Sequence, residues 1–455
     1  MQQAFERAIG TFLARVCVSA ADSRPAIAVA YSGGLDSTVL LHLASWYADA
    51  HALPLHAFHV HHGLSGNADA WVDHCRIQSD RYGVPFDVSN VLICDAEKRG
   101  VEEAARIARY NALGNLCRGK EVALLLTAHH RDDQAETVVL QLMRGAGLPG
   151  LSGMPAFQAQ HELLGSGVAL GRPLLDMSRG ELEKAVLDFE LPYVSDESNT
   201  DVRYRRNAFR HNIAPVIETH FPGFSGLVSR TALHAQTAQS LLSELAVIDY
   251  EACKSEHHAD TLDLVKMRGL TVERLDNLLR HWFYKHGAQL PSTARLNEIR
   301  AQMLSAASDK HPFFDFGSAR LHRIDNRLEL HPNQGVPPIE PTLLEWHGEP
   351  ELALPQWSGR LVFEKTDGPG LNAEKLRSGR LTLRPRAGQE RLKLAANRPS
   401  KSLKHLFQES LIASWRRAWL PLLYVDDNLV FAAGLGMDVR HTTQGESVAL
   451  HWESA

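Results

Sequence analysis

Residues 32–37, with the sequence SGGLDS, combine hydroxyl groups, glycines and a carboxylate in a pattern that suits a phosphate. The segment AIAVAY before them is typical of a buried strand, and STVLLHLASWY after them is typical of a helix. A strand, a glycine turn and a helix N-terminus direct several backbone N–H groups to one point, where the helix dipole favours an anion. The hydroxyls can donate to phosphate oxygens, and Asp36 can hold Mg²⁺ between phosphates. We therefore predict a phosphate site, the alternative being an inert glycine-rich turn of an α/β protein.

This turn differs from two better known phosphate loops. It lacks the Gly-Lys-Ser/Thr ending of the P-loop, so no lysine is placed to reach a γ-phosphate, and it is not a G-x-G-x-x-G turn. It resembles instead the pyrophosphate-binding loop of the N-type ATP pyrophosphatases, whose pattern is S-G-G-x-D-S. The resemblance implies cleavage of ATP between the α- and β-phosphates, with AMP transferred to an oxygen that a nucleophile then displaces.

A second group of chemically capable residues follows another buried segment, VALLLTA. His129, Asp133 and Glu136 are spaced i, i+4 and i+7, so on a helix they share one face. We expect this face to point at the same cleft as Asp36, because both groups follow predicted strands. The alternative is that the acids of this segment only complement the dipole of a helix N-terminus.

Arginines form a third group. Arg106 and Arg109 lie on adjacent turns of a predicted helix, with Glu102 and Glu103 one turn before Arg106. A solvated helix with i,i+3 and i,i+4 ion pairs explains this pattern, and so does binding of a phosphate or an RNA backbone, since guanidinium groups bind phosphate bidentately. The segment SDESNTDVRYRRNAFRH adds four arginines after the last predicted strand, where they could hold RNA or only link two domains.

The elements that position these residues alternate between strand and helix from Pro25 to about Pro192. This alternation predicts a doubly wound parallel sheet with helices on both faces, in which ligands bind at the carboxyl ends of the strands. Long helical periods follow, then a proline-rich segment, then short alternating segments typical of a small mixed α/β domain. The predicted organisation is a catalytic domain over 1–221, a helical domain over 222–330, a linker over 331–355 and a C-terminal domain over 356–455.

The amino-acid composition indicates a globular protein. The chain has 455 residues, 44% of them hydrophobic and 22% charged, which is ordinary for a globular protein of several domains. The N-terminus does not read as a signal peptide, and no apolar run approaches membrane-spanning length. The five cysteines are scattered without a C-x-x-C pair, so we expect a reducing, cytoplasmic setting and no membrane partner.

The net charge of −5 argues against non-specific nucleic-acid binding, but one segment is strongly basic. Between residues 375 and 405 ten lysines and arginines stand against the single acid Glu390. We predict that a phosphate backbone binds here, the alternative being a merely solvated basic face.

Five motifs occur in the order found in the tRNA(Ile)-lysidine synthases, and together they span about the first half of the chain. The motifs are SGGLDS, HVHHGL, GVEEAARIARY, TAHHRDDQAET followed by RGAGLPGLSGM, and DESNTDVRYRRNAFR. The resemblance implies a ligase that forms a carbon–nitrogen bond. Using ATP, it joins free L-lysine to C2 of the wobble cytidine of a tRNA(Ile) with a CAU anticodon, through an adenylated cytidine. AMP and pyrophosphate are released, codon reading changes from AUG to AUA, and tRNA identity changes from Met to Ile.

The resemblance also implies roles for individual residues. It places Ser32, Gly33, Gly34, Leu35, Asp36 and Ser37 at the ATP phosphates, with Asp36 also at Mg²⁺. It places Asp36, His129, Asp133, Glu136 and Arg106 around the reacting groups. From their positive charge, we further predict that tRNA is bound by Arg109, Arg205, Arg206, Arg384, Arg386, Lys401 and Lys404, and we also predict a homodimer.

Other activities of the same loop family are less consistent with this sequence. A tRNA thiolase of the family usually needs a cysteine pair to deliver sulfur, and amidating relatives carry a glutaminase domain with its own nucleophilic cysteine. An ATP-sensing RNA-binding protein without catalysis would bind ATP and release no pyrophosphate.

Overall fold

The structure, a computed structural model, describes residues 1–16, 25–63, 66–92, 100–195, 197–256, 260–288, 290–304, 312–317, 319–332, 340–410, 412, 416–443 and 447–454. Two compact units divide the chain, Met1–Glu244 and Leu245–Ala455. The predicted boundaries of the four segments remain predictions. Cys75, Cys117 and Cys253 are buried free thiols, whereas Cys17 and Cys94 lie outside the described residues.

The first unit is built on a six-stranded sheet in the order β3-β2-β1-β4-β6-β5. β1 pairs in parallel with both β2 and β4, so the strand order reverses at β1, and crevices for ligands open at such points. Only the short β5 runs antiparallel among these strands. The bounds are β1 Ala26–Ala30, β2 Leu55–His61, β3 Phe86–Asn90, β4 Val122–Leu126, β5 Phe157–Gln158 and β6 Ala169–Gly171.

Helices cover both faces of this sheet, which confirms the predicted doubly wound fold. Leu124 and Leu126 of β4 belong to one apolar core and Leu125 to the other, because successive strand residues point to opposite faces. The helices of this unit are α1 Gln2–Val16, α2 Leu35–His51, α3 Ala68–Arg81, α4 Val101–Gly119, α5 Arg131–Met143, α6 Leu148–Leu151, α7 Arg179–Asp188, α8 Arg205–Ala208 and α9 Ala214–His220, with a π-helical turn at Phe209–Ile213 between α8 and α9. Helix α10, Phe224–Cys253, contains the boundary between the two units.

After the end of α10, the described part of the second unit continues with a region that combines helices and a sheet. Its core is centred on Trp282 and Phe283 of an amphipathic helix. The prediction of a helical domain missed the four-stranded sheet β7-β10-β9-β8, whose strands are short and rich in charged residues. The bounds are β7 Leu262–Asp263, α11 Leu264–Met267, α12 Val272–Lys285, α13 Thr293–Ile299, β8 Phe313–Asp315, β9 Ala319–Ile324 and β10 Arg327–Pro332.

The remaining described residues form two five-stranded sheets and a two-stranded sheet, β16-β17, with a core that includes Trp357, Phe407 and Leu422. β11 and β12 lie inside the range predicted as a linker, while residues 333–339 of that range lie outside the described residues. The bounds are β11 Thr342–Leu344, β12 Glu351–Leu354, β13 Gly359–Thr366, β14 Gly370–Asn372, α14 Ala373–Ser378, β15 Leu381–Arg384, β16 Arg391–Leu392, β17 Lys401–Ser402, α15 Leu403–Glu409, β18 Leu422–Val425, β19 Asn428–Ala432, β20 Gly436–Met437, β21 Thr442–Thr443 and β22 Ser447–Ser454.

No helix in the described part of the chain is both long enough and apolar enough to span a bilayer.

Candidate active site

The glycine turn joins the carboxyl end of β1 to the N-terminus of α2, as its sequence predicts. Ser37 Oγ lies 3.0 Å from Ser32 Oγ and donates to the carbonyl of Gly34 at 3.0 Å. The backbone N–H of Gly34 donates to Ser32 Oγ at 3.4 Å. The two hydroxyls therefore hold the turn in shape, with Ser32 exposed at its surface and Ser37 buried beneath it.

Gly33 is a position that only glycine fits. Its φ of 81° lies in the left-handed region. A Cβ at this residue would lie 2.8 Å from Cys75 Sγ and 3.1 Å from Val194 Cγ2. The Gly33 carbonyl also accepts a hydrogen bond from the N–H of Val194 at 2.9 Å. The turn is thus packed closely against Cys75 and Val194.

Gly33→Ala is expected to weaken ATP binding about tenfold, because the left-handed conformation alone strains a non-glycine residue by about 1–2 kcal/mol. Isothermal titration calorimetry with ATP measures the loss. Gly10→Ala on α1 is the matched control, since a Cβ there meets only Tyr47 Oη at 4.0 Å. Adding Cys75→Ala should restore only part of the affinity, because it removes the contact and not the φ strain. Wild-type affinity in Gly33→Ala would refute the assignment of the turn to phosphate.

Asp36, in the first turn of α2, is bound by an arginine from a distant helix. Arg179 Nη1, at the start of α7, donates to both carboxylate oxygens of Asp36 at 2.6 and 2.7 Å. Burial raises the pKa of Asp36, and the positive charges of His130 and Arg179 act in the opposite direction. A carboxylate that is costly to bury favours a cation beside it.

His130, the residue before α5, lies among three carboxylates and is only 2% exposed. Its ring nitrogens are 3.8 Å from Asp36, 3.6 Å from Asp132 and 3.4 Å from Asp133, measured to the nearest carboxylate oxygen. Desolvation alone would lower its pKa, but the surrounding carboxylates outweigh this effect and raise it. The imidazole thus links the acid of the glycine turn to the acids of α5.

Asp133 and Glu136 form a single cluster with two arginines. Arg206 donates to Asp133 Oδ1 and to Glu136 Oε2, each at 2.8 Å. Arg210 donates to Asp133 Oδ1 at 3.0 Å and to the two Glu136 oxygens at 2.6 and 2.9 Å. Burial would raise the pKa of Asp133, but His130 and then Arg206 outweigh it and hold that pKa at about 2. Asp133 is therefore ionised near neutral pH.

His129 lies beside this cluster, with its Nδ1 3.0 Å from Thr127 Oγ1. Desolvation lowers the pKa of His129 to about 3, although Asp133 opposes the shift. The ring is therefore neutral at pH 7. Arg109 and Arg172 are among the cations that act on it, so the predicted histidine faces positive as well as negative groups.

The structure brings most of the predicted residues of the first unit to one edge of the sheet. The charge of Asp133 acts on the pKa of both Asp36 and His129. Arg206 and Arg210 bind Glu136 as well as Asp133. Arg106 is on α4, exposed, and pairs with Glu103 at 3.4 Å, which is the helical ion pair that its spacing allows. Arg205 is exposed, whereas Arg206, predicted to bind tRNA, is held by acids in this structure.

Three residues of the site were missed by the sequence interpretation: His130, Arg179 and Arg210. The signal for Arg210 was available, because Arg206 and Arg210 are spaced i and i+4 while Asp133 and Glu136 are spaced i and i+3. Two such pairs on helices present complementary charges. Nothing local marks Arg179, whose partner lies 143 residues earlier.

The basic residues predicted to bind tRNA in the second unit are partly paired with acids. Arg384 pairs with Asp427 and lies over the ring of Tyr424, and Lys401 pairs with Glu409. The other two predicted residues differ in exposure: Arg386 lies partly buried over the ring of Phe407 and Lys404 is exposed.

Asp36 fits the predicted role as a Mg²⁺ ligand. Within the described ranges, no group of three or more His, Cys, Asp or Glu side chains is arranged to hold a metal ion by itself. Mg²⁺ needs no such group, because it commonly binds one or two carboxylates together with substrate phosphates and water. Asp36 is a partly buried carboxylate within the glycine turn and meets this requirement, and its role as a Mg²⁺ ligand stays a prediction.

A parallel sheet with an S-G-G-x-D-S turn at its reversal point defines the class of nucleotide-binding PP-loop domains. The family model of the PP-loop domain matches residues 1–217. Two further family models match two later segments: the TilS substrate binding domain over 262–329 and the TilS substrate C-terminal domain over 381–452.

The chain belongs to the tRNA(Ile)-lysidine synthase family. It is 39% identical to the tRNA(Ile)-lysidine synthase of Ralstonia nicotianae over 438 residues, which cover 94% of this chain and 92% of the relative. It is 37% identical to that of Coxiella burnetii over 406 residues, covering 89% and 88%. Among solved structures, the U34-tRNA thiolase NcsA of Methanococcus maripaludis aligns at 19% identity and a TM-score of 0.39, over 50% of this chain and 77% of the thiolase.

Proposed function

We propose that the chain catalyses the ATP-dependent ligation of L-lysine to C2 of the wobble cytidine in a tRNA(Ile) with a CAU anticodon. The proposal rests on one observation in a chain of this family: the SGGLDS turn, which contains Asp36, lies at the same edge of the sheet as Asp133 and Glu136. A turn for pyrophosphate beside an acidic cluster suits a reaction that first transfers AMP and then accepts an amine.

In the first step the C2 oxygen of cytidine attacks the α-phosphorus of ATP. The bond to the bridging oxygen breaks, and pyrophosphate leaves. Negative charge develops on the phosphates, so the exposed hydroxyl of Ser32 and the backbone N–H groups of the turn stabilise the transition state, while Ser37 holds the turn in shape. Mg²⁺, when bound by Asp36, would withdraw charge from the phosphate oxygens.

In the second step the ε-amine of lysine attacks C2, and the C2–O bond breaks so that AMP leaves. Free lysine carries an ammonium group near pH 7, which must lose its proton before attack. Asp133 and Glu136 are the proposed binding site for this ammonium, because both stay close to positive partners at the reaction edge. One of them then accepts the proton as general base.

Arg206 and Arg210 balance these acids when no lysine is bound. A buried acid pair without cations would be strongly destabilised. Entry of the lysine ammonium adds a competing cation, so at least one arginine is expected to turn towards the RNA. This exchange reconciles the tRNA role predicted for Arg206 with the ion pairs that it makes here.

We place the rest of the tRNA on the second unit, through the basic residues of the 375–405 segment, and we propose the cytoplasm as the site of action. The buried free thiols Cys75, Cys117 and Cys253 suit a reducing compartment. The predicted homodimer stays a prediction.

Charge reversal of Arg384, Arg386, Lys401 and Lys404 to glutamate is expected to weaken tRNA binding about a hundredfold at 0.1 M salt, because several phosphate contacts are lost together. Filter binding measures the tRNA dissociation constant, and calorimetry should find ATP affinity within about twofold of the wild type, since the PP-loop domain is unchanged. Reversal of the exposed Lys365 on β13 is the control. Equal tRNA affinity in the fourfold variant would reject this surface.

The activity itself is tested with purified protein, ATP, radiolabelled lysine and transcripts of tRNA(Ile) with either a CAU or a GAU anticodon. We expect acid-insoluble label on the CAU transcript alone, together with one AMP per lysine. Pyrophosphate release without label on RNA would favour another acceptor for the activated oxygen, and no pyrophosphate release would favour the non-catalytic alternative.

A further inference from the structure

The second unit contains a cavity of about 440 Å³, and its described lining residues all belong to that unit, whereas the SGGLDS turn belongs to the first. One wall comes from β9 and β10, in the region matched by the TilS substrate binding domain. The other wall comes mainly from the region matched by the TilS substrate C-terminal domain. Ligand pockets in proteins begin at about 300 Å³, so the cavity has room for one small molecule.

An aromatic side chain of β22 lines this cavity. Val448 and Leu450 of β22 are buried in the core, and Trp452 and Ser454 share their face of the strand because alternate residues point the same way. Both of the latter line the cavity. Gly359 on β13 leaves room for the indole, since a Cβ there would lie 2.5 Å from Trp452 Cζ2. The indole therefore rests on the strand at Gly359 and stays partly exposed at the cavity.

Aliphatic side chains extend this apolar surface. Ile412 and Leu420 line the cavity next to Gly434, where a Cβ would lie 2.8 Å from Ile412 Cδ1 and 3.2 Å from Leu420 Cδ1. Ile324, at the end of β9, adds an apolar side chain from the opposite wall. Together with the indole, these groups suit a flat, largely apolar part of a ligand.

The acid among the described lining residues, Glu329, is already paired. Arg327 Nε donates to Glu329 Oε1 at 2.7 Å, and His331 Nε2 lies 3.0 Å from Glu329 Oε2. Burial would raise the pKa of Glu329, but the hydrogen bonds from His331 and Arg327 outweigh it and hold that pKa at about 2. The carboxylate is therefore ionised, and both of its oxygens are occupied by partners on its own strand.

Arg416, an exposed lining residue, is a cation that Glu329 does not balance. Among the described residues no acid pairs with Arg416, and its neighbour Arg417 donates from Nε to the carbonyl of Ile412 at 2.8 Å. Burial, and then the charge of Arg386, lowers the pKa of Arg417, so positive groups gather on this side of the cavity. An excess of positive charge attracts an anion, and guanidinium groups bind phosphate through paired N–H donors.

A ligand that joins a flat aromatic body to a phosphate matches both parts of this cavity. Bases of any sequence stack on aromatic side chains. We propose that the cavity binds one nucleoside monophosphate unit, with its base against Trp452 and its phosphate at Arg416. Two sources carry this chemistry: free AMP, which the proposed reaction releases, and the unpaired 3′-terminal nucleotide of a tRNA. Only the choice between these sources rests on the proposed function.

The first test is equilibrium dialysis of the full chain with radiolabelled AMP, without tRNA or lysine. The wild type should bind one more AMP per chain than Arg416→Gln, whose affinity at this site should fall by at least about tenfold, since a charge-assisted contact to phosphate is lost. Arg416→Lys should bind with intermediate affinity, because an ammonium keeps the charge without the paired donors. Lys365→Gln, which removes an exposed cation from β13 outside the lining, is the control and should bind like the wild type.

Variants of Trp452 test the stacking contact. Trp452→Leu should weaken AMP binding at this site about tenfold, and Trp452→Phe should lose less, because a phenyl ring still offers a face to the base. The indole also packs on the core, so melting curves accompany both variants. If either of them does not fold, the exposed Arg416 still decides the matter.

A second arm distinguishes the two sources of the nucleotide, using a tRNA(Ile) transcript with and without its 3′-terminal adenosine. If the cavity holds the tRNA end, truncation should weaken wild-type binding about tenfold and weaken Arg416→Gln no further. If it holds free AMP, truncation should affect both proteins alike while the AMP count still differs between them.

Equal AMP counts in the wild type and Arg416→Gln, together with equal effects of truncation on both, would overturn the nucleotide site. Failure of lysine ligation would be a failure of the proposed function and would leave the AMP count unchanged, so the two are told apart.

Discussion

Asp36→Ala is expected to reduce pyrophosphate release by at least about a hundredfold, the usual loss when a group that stabilises developing phosphate charge is removed. The carboxylate stands in the first turn of α2, next to the hydroxyls that hold the glycine turn. Its loss also removes one of the two acids that pair with Arg179 and leaves Glu183 as the other. The measurement is a continuous pyrophosphate assay with saturating ATP, lysine and tRNA.

Two controls separate this effect from a general loss of structure. Asp49→Ala removes an exposed carboxylate from the other end of the same helix and should leave turnover unchanged. Asp36→Asn keeps the shape of the side chain without its charge, and should be nearly as inactive as the alanine variant. Turnover at the wild-type rate in Asp36→Asn would remove the carboxylate from the mechanism.

Asp133→Asn is expected to slow lysine transfer by about a hundredfold or more, within the range attributed to general acid–base groups, while AMP transfer to the tRNA continues. Asp133, with a pKa of about 2, carries its charge throughout the working pH range, so the amide removes that charge from the proposed ammonium site. Rapid quench with labelled ATP measures both steps in a single turnover. We expect adenylated tRNA to accumulate in this variant.

Glu183→Gln provides the matched control for this substitution. Glu183 also pairs with an arginine, Arg179, at 3.0 Å, but its side chain is 55% exposed and lies on α7 outside the acid cluster. It should transfer lysine like the wild type. If Asp133→Asn slows adenylation and lysine transfer equally, the residue serves the whole site and the separate ammonium role is wrong.

Local sequence patterns were enough to predict the strands and helices that position the site. Short apolar segments and glycine turns indicate strands that end at one edge, and the structure places β1, β4 and β6 with their carboxyl ends there. The spacing of Asp133 and Glu136 likewise predicts that they share one helix face, whereas His129, predicted to share that face, lies before α5, which begins at Arg131. Both kinds of inference depend only on periodicity, which a single sequence contains.

The partners of these residues could not be predicted in the same way. Arg179 and Asp36 are 143 residues apart, and Arg210 and Glu136 are 74 apart. Such pairs depend on tertiary packing and leave no local pattern. For the same reason His130 was overlooked beside His129, since which of two adjacent histidines faces the acids depends on the backbone where β4 leads into α5.

The second unit was harder to predict because its strands are short. β7 and β16 have two residues each, too few for an alternating pattern to stand out. β11 and β12 lie inside the predicted linker, because the proline-rich segment before them favours an irregular connection over strands. Helix α12 was easy to predict because Leu275, Leu279 and Trp282 repeat at helical spacing and are all buried.

The most direct test of the central claim follows the oxygen at C2 of the wobble cytidine. An anticodon stem-loop is synthesised with ¹⁸O at this position, and the AMP released with unlabelled ATP and lysine is examined by mass spectrometry. If the SGGLDS turn holds pyrophosphate so that this oxygen accepts AMP and departs with it, each AMP carries one ¹⁸O. AMP free of label, with lysine joined to the RNA, would contradict the account.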